Sequence, residues 1–165
     1  MLLACGLLLL SDLNRREGLR KTSATKVPRL ALLQWSSTAL LDDTVTGLVE
    51  GLRQQGYEEG QTLSLRLFNA QGDHATASVM AREMVEGGYD LLLTASTPAL
   101  QTLAKANQER KIPHLFAAVT DPFHAGVGIT GESPDQRPHH LMGVGTFQPV
   151  EELFRLARQM NPALK

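Results

Sequence analysis

Cysteine is almost missing from this chain. Cys5 is the one cysteine in 165 residues, so neither a disulfide framework nor a multi-cysteine zinc site can be built within it. An excess of charge of either sign is missing too: 16 Lys and Arg stand against 17 Asp and Glu, a formal net charge of -1. Both signs are scattered, so no basic stripe follows a phosphate backbone, and nucleic acid is not an expected partner. No apolar run reaches the roughly 20 residues that a membrane-spanning helix needs. Internal repeats and low-complexity tracts are lacking, which removes solenoids and disordered linkers from consideration. What is there, 42% apolar and 20% charged residues, is the composition of one soluble domain able to bury a core.

The longest apolar run is Leu2–Leu10, the length of a signal-peptide core. Its basic residues, Arg15, Arg16, Arg20 and Lys21, follow it, whereas a signal peptide carries them in front. This order predicts that residues 1–25 are a truncated signal peptide or membrane anchor with its linker, and that residues 26–165 form the folded lobe. Leu2–Cys5 also has the look of a lipoprotein cleavage box, but the apolar stretch continues past it, which favours a plain hydrophobic cysteine. Export is the reading this segment favours.

From Val27 onward, short β-rich runs alternate with amphipathic helical patterns, the signature of βαβ units in a mainly parallel sheet. The expected fold class is α/β, a three-layer Rossmann-like lobe. The run Arg29–Gln34 is nearly all apolar, as in a strand covered on both faces. Leu41, Val45, Leu48, Val49 and Leu52 then predict a helix from about Asp42 to Gln55, stopped by Gly56. Leu63–Phe68 alternates like an edge strand, and Ala75–Val85 marks a second helix ending at Gly87 and Gly88. Asp90–Ala95 is a buried strand, Ser96–Pro98 opens a third helix running to about Arg110, and Pro113–Val119 is a fourth strand. Between Phe123 and His140 stand five glycines or prolines and no usable period, which predicts a long surface loop. Leu141–Gly145 reads as a short fifth strand, and Val150–Met160 as an amphipathic helix.

Ligands of open parallel sheets bind outside the carboxyl ends of the strands, where helix N-termini offer free N–H groups. The polar residues of this chain fall at those ends: Gln34, Ser36 and Ser37 beside Trp35, then Asn69 and Asp73, then Ser96 and Thr97, then Thr120 and Asp121 after Val119. The segment Ser96–Ala99 is the most specific of these. Thr97 is placed to cap, Pro98 suits the first helical position, and Ala99 and Leu100 offer unpaired N–H donors to a carboxylate. Read alone, Thr97 caps its own helix and Asp121 starts an ordinary Asp-Pro turn. Trp35 and Phe123 are equally suited to stacking on an aromatic ligand or to anchoring core and loop.

Several other spellings carry no chemistry. Gly126–Gly131 matches a dinucleotide fingerprint but leads into no helix. His114, His124, His139 and His140 have no carboxylate or cysteine at ligand spacing, and read as solvated loop histidines. Nucleophile elbows, Walker loops and Cys/His pairings are missing from the sequence, so no catalytic residue, metal or cofactor is expected.

Gly47–Gly60, Asn69–Asp73, Ser96–Ala99 and Phe116–Pro122 occur in this order, and with them the chain resembles ABC transporter substrate-binding proteins of periplasmic binding protein type I fold. The resemblance runs from about Val27 to Lys165 and covers the first of two lobes. It implies a clamp that encloses a small polar ligand, often an amino acid, and hands it to an ABC permease in the membrane. By position it implies that Gln34–Ser37, Asn69–Asp73, Ser96, Thr97 and Val119–Asp121 face the ligand. It implies a periplasmic or extracytoplasmic location, with membrane association through the N-terminal segment. Two departures bear on selectivity: His140–Val144 stands where the family has Asn-x-Thr-Gly-Val, and the Phe123–His140 loop is longer than usual. Two alternatives use the same elements. One is an extracytoplasmic ligand-sensing domain of a membrane-anchored signalling protein. The other is a flavodoxin-like or receiver-type protein, which needs an acidic cluster after the first strand, where this chain has no carboxylate before Asp42.

Overall fold

The computed structural model describes residues 26–131, 133, 136–146 and 150–161; the apolar run, Cys5 and the rest of the expected leader lie outside the described residues. Strand β1 (Arg29–Gln34) is buried at every position except Arg29. Its residues alternate between two layers, Leu30 and Leu32 on one face and Ala31 and Leu33 on the other. A strand covered on both faces has no solvent side, which is why its sequence is an unbroken apolar run.

Helix α1 (Ala39–Gln54) follows and lays Leu41 and Val45 on Leu30 and Leu32. It begins before Asp42, where the apolar period alone had placed its start, because Thr38 caps it: the Thr38 hydroxyl accepts the Leu41 N–H at 3.4 Å. Gly56, at φ 84°, takes the left-handed turn that ends it. Strand β2 (Ser64–Asn69) is the sheet edge expected from its alternation, and helix α2 (His74–Glu86) packs against β1 and leads back to β3 (Leu91–Ala95). Helix α3 (Thr97–Ala106) leads to β4 (His114–Val119), then come β5 (Leu141–Gly145) and α4 (Val150–Met160). All strands pair in parallel, in the order β2-β1-β3-β4-β5.

The two layers are unequal. Helices α2 and α3 cover one face through Ala77, Ala81, Met84, Val85, Ala99 and Leu103, packed on Ala31, Leu33, Phe68 and Leu92. The other face is covered by α1 over β1 and β3, and apolar side chains of β5 there stay open, with Met142 at 45% and Val144 at 70% exposure. Helix α4 buries none of its residues, so its apolar stripe of Leu153, Phe154, Leu156 and Met160 is exposed. Among the described residues, no helix is long and apolar enough to cross a membrane.

Three expectations need correction. Helix α3 stops at Ala106 rather than near Arg110, because the buried Asn107 side chain clamps the chain onto itself: Nδ2 donates to the Ile112 carbonyl at 2.7 Å and Oδ1 accepts the Ile112 N–H at 2.9 Å. The long loop after β4 is not all surface, since Ala125 and Ile129 are buried against Leu100, Phe116, Val119 and Leu141. His114 is no solvated loop histidine: it is 1% exposed on β4, and its Nε2 lies 3.0 Å from the Thr94 hydroxyl.

Candidate functional site

Parallel pairing fixes where the strands end together. Gln34 is in register with Asn69 on one side and Ala95 on the other, and Ala95 with Ala117. The carboxyl ends of β2, β1, β3 and β4 therefore form one row. Since β1 has β2 on one side and β3 on the other, the topological switch point falls between β1 and β3, within this row. The polar residues expected at strand ends are brought to this one rim.

Their side chains divide into those that tie the rim together and those that remain free. Gln34 is buried, and its Nε2 donates to the Ser36 carbonyl at 3.0 Å and to the Asp42 carboxylate at 2.6 Å. Asn69 joins two loops: its Nδ2 donates to the Ser37 hydroxyl at 2.9 Å, while its Oδ1 accepts the Gln71 N–H at 2.9 Å. Asp73 caps α2, accepting the Thr76 N–H at 2.7 Å, and hydrogen bonds from Thr76 hold its carboxyl below the usual range. Asp121 closes its own turn, accepting N–H groups of Phe123 and His124 and pairing with the His124 ring at 2.7 Å. Those bonds, the His124 side chain foremost, hold its carboxyl below the usual range as well. Val119 has its side chain fully buried in the core, so only its backbone can face a ligand. By contrast, the hydroxyls of Ser36, Thr97 and Thr120 and the Trp35 indole N–H have no partner among the described residues.

The start of α3 differs from expectation. Ser96, not Thr97, is the cap: its Oγ accepts the Ala99 N–H at 3.3 Å and its carbonyl accepts the Leu100 N–H at 3.0 Å. Ala99 and Leu100 are thus not free donors, and Pro98 has no N–H. The Thr97 N–H and hydroxyl are what this helix start has left to offer. Ser96 holds a left-handed φ of 108°, and Ala118, where the β4–β5 register breaks, holds 53°. Non-glycine residues in that region cost free energy and concentrate at sites where backbone direction matters.

Sequence reasoning missed three rim residues. Asp42 holds Gln34, Ala118 makes the bulge, and His74 packs its ring 4.6 Å from that of Trp35. His74 directly follows the capping Asp73, so its place at the rim was available from the motif. Beside the rim, a groove of about 940 Å³ opens on the uncovered sheet face, lined by Leu48, Leu115, Met142 and Val144 and reaching Thr120, Asp121 and Phe123. It is an apolar surface that no helix covers among the described residues, whereas the polar rim is at the switch point. Among the described residues, no group of three His, Cys, Asp or Glu side chains is placed to hold a metal.

A five-stranded, wholly parallel sheet in this order, with helices on its faces, is the fold of one lobe of the periplasmic binding protein type I class. The chain belongs to the ABC transporter substrate binding protein family, whose model matches residues 29–165. A solved structure of a conserved domain protein from Vibrio cholerae is 34% identical, with a TM-score of 0.76 over 85% of this chain and 46% of that one. An ABC domain in complex with L-Trp from Streptococcus pneumoniae is 29% identical, with a TM-score of 0.71 over 84% of this chain and 45% of that one. The tyrosine-binding protein of Clostridioides difficile (strain R20291) is 28% identical over 146 residues, 88% of this chain and 41% of that protein. The chain therefore spans less than half the length of these relatives. The family is one of solute-binding proteins rather than enzymes, and such proteins of ABC systems are extracytoplasmic.

Proposed function

We propose that this lobe is the ligand-gripping half of the solute-binding component of an ABC-type uptake system, and that its solute is an amino acid. The reading rests above all on the polar groups of the rim: Ser36, Thr97 and Thr120 carry hydroxyls without a partner among the described residues at the ends of β1, β3 and β4, while their neighbours are used up in holding the loops. In this reading Thr97, with its backbone N–H at the positive end of α3, takes the α-carboxylate. Ser36 and Thr120 flank it and take the ammonium group. Relatives described as tyrosine-binding and as bound to L-Trp support an amino acid over a sugar or an inorganic ion.

A single lobe leaves half of such a ligand in water, so a second lobe closing over this rim supplies the remaining affinity and the signal read by a membrane permease. No step of covalent chemistry is involved. The test is a thermal-shift screen of the complete gene product against the common amino acids, because a ligand that binds only the folded state raises its stability by mass action. One or a few amino acids should raise the midpoint, and Thr97→Ala should remove most of the rise without lowering the unliganded midpoint. A screen in which sugars or polyamines shift the midpoint and amino acids do not overturns the reading.

A further inference from the structure

Trp35 is the one tryptophan of the chain and follows directly on β1 at the switch point. Its ring is half-buried and packs on residues of both apolar layers, so it sits across the top edge of the sheet rather than inside either layer. Two contacts fix it. The His74 ring packs against it at 4.6 Å with 56° between the planes, and the Trp35 carbonyl accepts the Gly72 N–H at 2.8 Å. The Trp35 indole N–H is accessible to solvent and has no acceptor among the described residues. A partly open aromatic surface, held by these two contacts, thus directly precedes Ser36, whose hydroxyl has no partner among the described residues.

Phe123, the other aromatic near the rim, is placed differently. It belongs to the turn closed by Asp121 and lines the apolar groove with Leu48 and Met142. That leaves Trp35 as the aromatic group at the end of β1. We infer that Trp35, positioned by His74, is the specificity-determining residue of the site and selects amino acids with an aromatic side chain, which packs on the indole. This inference rests on the amino-acid reading above and names the substrate class within it.

The experiment is isothermal calorimetry on the complete gene product with L-Tyr, L-Trp and L-Phe against L-Leu and L-Ile, for the wild type and for Trp35→Leu, Trp35→Phe and His74→Ala. The wild type should prefer the aromatic set. Trp35→Leu should weaken aromatic ligands roughly tenfold, in line with the extra affinity of aromatic pairs, and leave the aliphatic ones within about twofold. Trp35→Phe should retain the preference, and His74→Ala should narrow the aromatic-to-aliphatic ratio without abolishing binding, an outcome that a general structural defect does not produce. If Trp35→Leu does not fold, the Phe and His74 variants carry the comparison. A wild type that prefers Leu or Ile, or a ratio unmoved by both Trp35→Leu and His74→Ala, overturns the inference while the amino-acid reading stands. A wild type that binds none of these amino acids, nor any other, removes the earlier reading itself.

Discussion

Asn107 acts as a one-residue clasp. Fully buried at the end of α3, it serves the Ile112 N–H and carbonyl with the two ends of one amide, and so turns the chain toward β4. Asn107→Ala strips both partners at once, and leaving a buried donor and acceptor unmade costs about 2–3 kcal/mol. Urea unfolding should show that loss with an unchanged slope, whereas a loss under 0.5 kcal/mol, as is usual for a surface substitution, means the clasp is not closed in solution. Asn107→Asp should lose at least as much, because it sets a carboxylate oxygen against the Ile112 carbonyl and buries a charge. The same residue explains why the helix end was misplaced from sequence: an Asn among Gln, Glu and Arg has no property that marks it as buried. The neighbouring hydroxyls Ser96 and Thr97 pose a similar problem. Both residue types cap helices well, and the choice falls to Ser96 because its backbone φ of 108° turns the chain there, which no local pattern reveals.

At the level of elements, the strands were the legible part. Continuous apolar runs marked β1 and β3, and alternation marked β2, because burial on two faces or one writes itself into side-chain polarity. The bulge in β4 was not legible, since it depends on Ala118 adopting φ 53° opposite β5, and alanine carries no signal for it. Its partner requirement falls on Gly143. A Cβ added there would run into the Phe116 carbonyl and ring, so β5 lies this close to β4 only because position 143 has no side chain. Gly143→Ala should push the strands apart and cost about 2 kcal/mol, in the range of overpacked cores. Hydrogen exchange gives the sharper check: amides of β5 should lose protection while those of β1 and β3 keep theirs. Uniform protection in the variant rules this account out.

For the whole molecule, the rim could be foreseen because a parallel sheet ends all its strands on one side, so polar residues at successive strand ends must meet. The open face over β4 and β5 could not, because Met142 and Val144 are as apolar as any core residue and sequence does not say whether a helix covers them. Nor did it say that one histidine would be sealed in the core. His114 has Nε2 against Thr94 and Nδ1 without a partner among the described residues, and burial, with a smaller repulsion from His140, lowers its pKa from 6.5 to about 3. Between those values the unfolded chain binds a proton that the folded one refuses, so stability present above pH 6.5 drains away as the pH falls. Lost on this account at pH 5 is about 2 kcal/mol relative to neutral pH. The carboxylates whose pKa is lowered, Glu50, Asp73, Asp90 and Asp121, sit below their ordinary values near 4, and their contribution begins to be lost only at still lower pH, so the interval from 6.5 to 5 isolates the histidines. His140, shifted down by its own partial burial and by Lys111, adds in the same direction. Urea titrations at pH 7.5 and 5.0 should therefore show a clear fall in stability for the wild type. In His114→Gln most of that fall should vanish, leaving the His140 share. If the variant loses as much between the two pH values as the wild type does, the acid sensitivity lies elsewhere in the fold and the buried histidine is not its source.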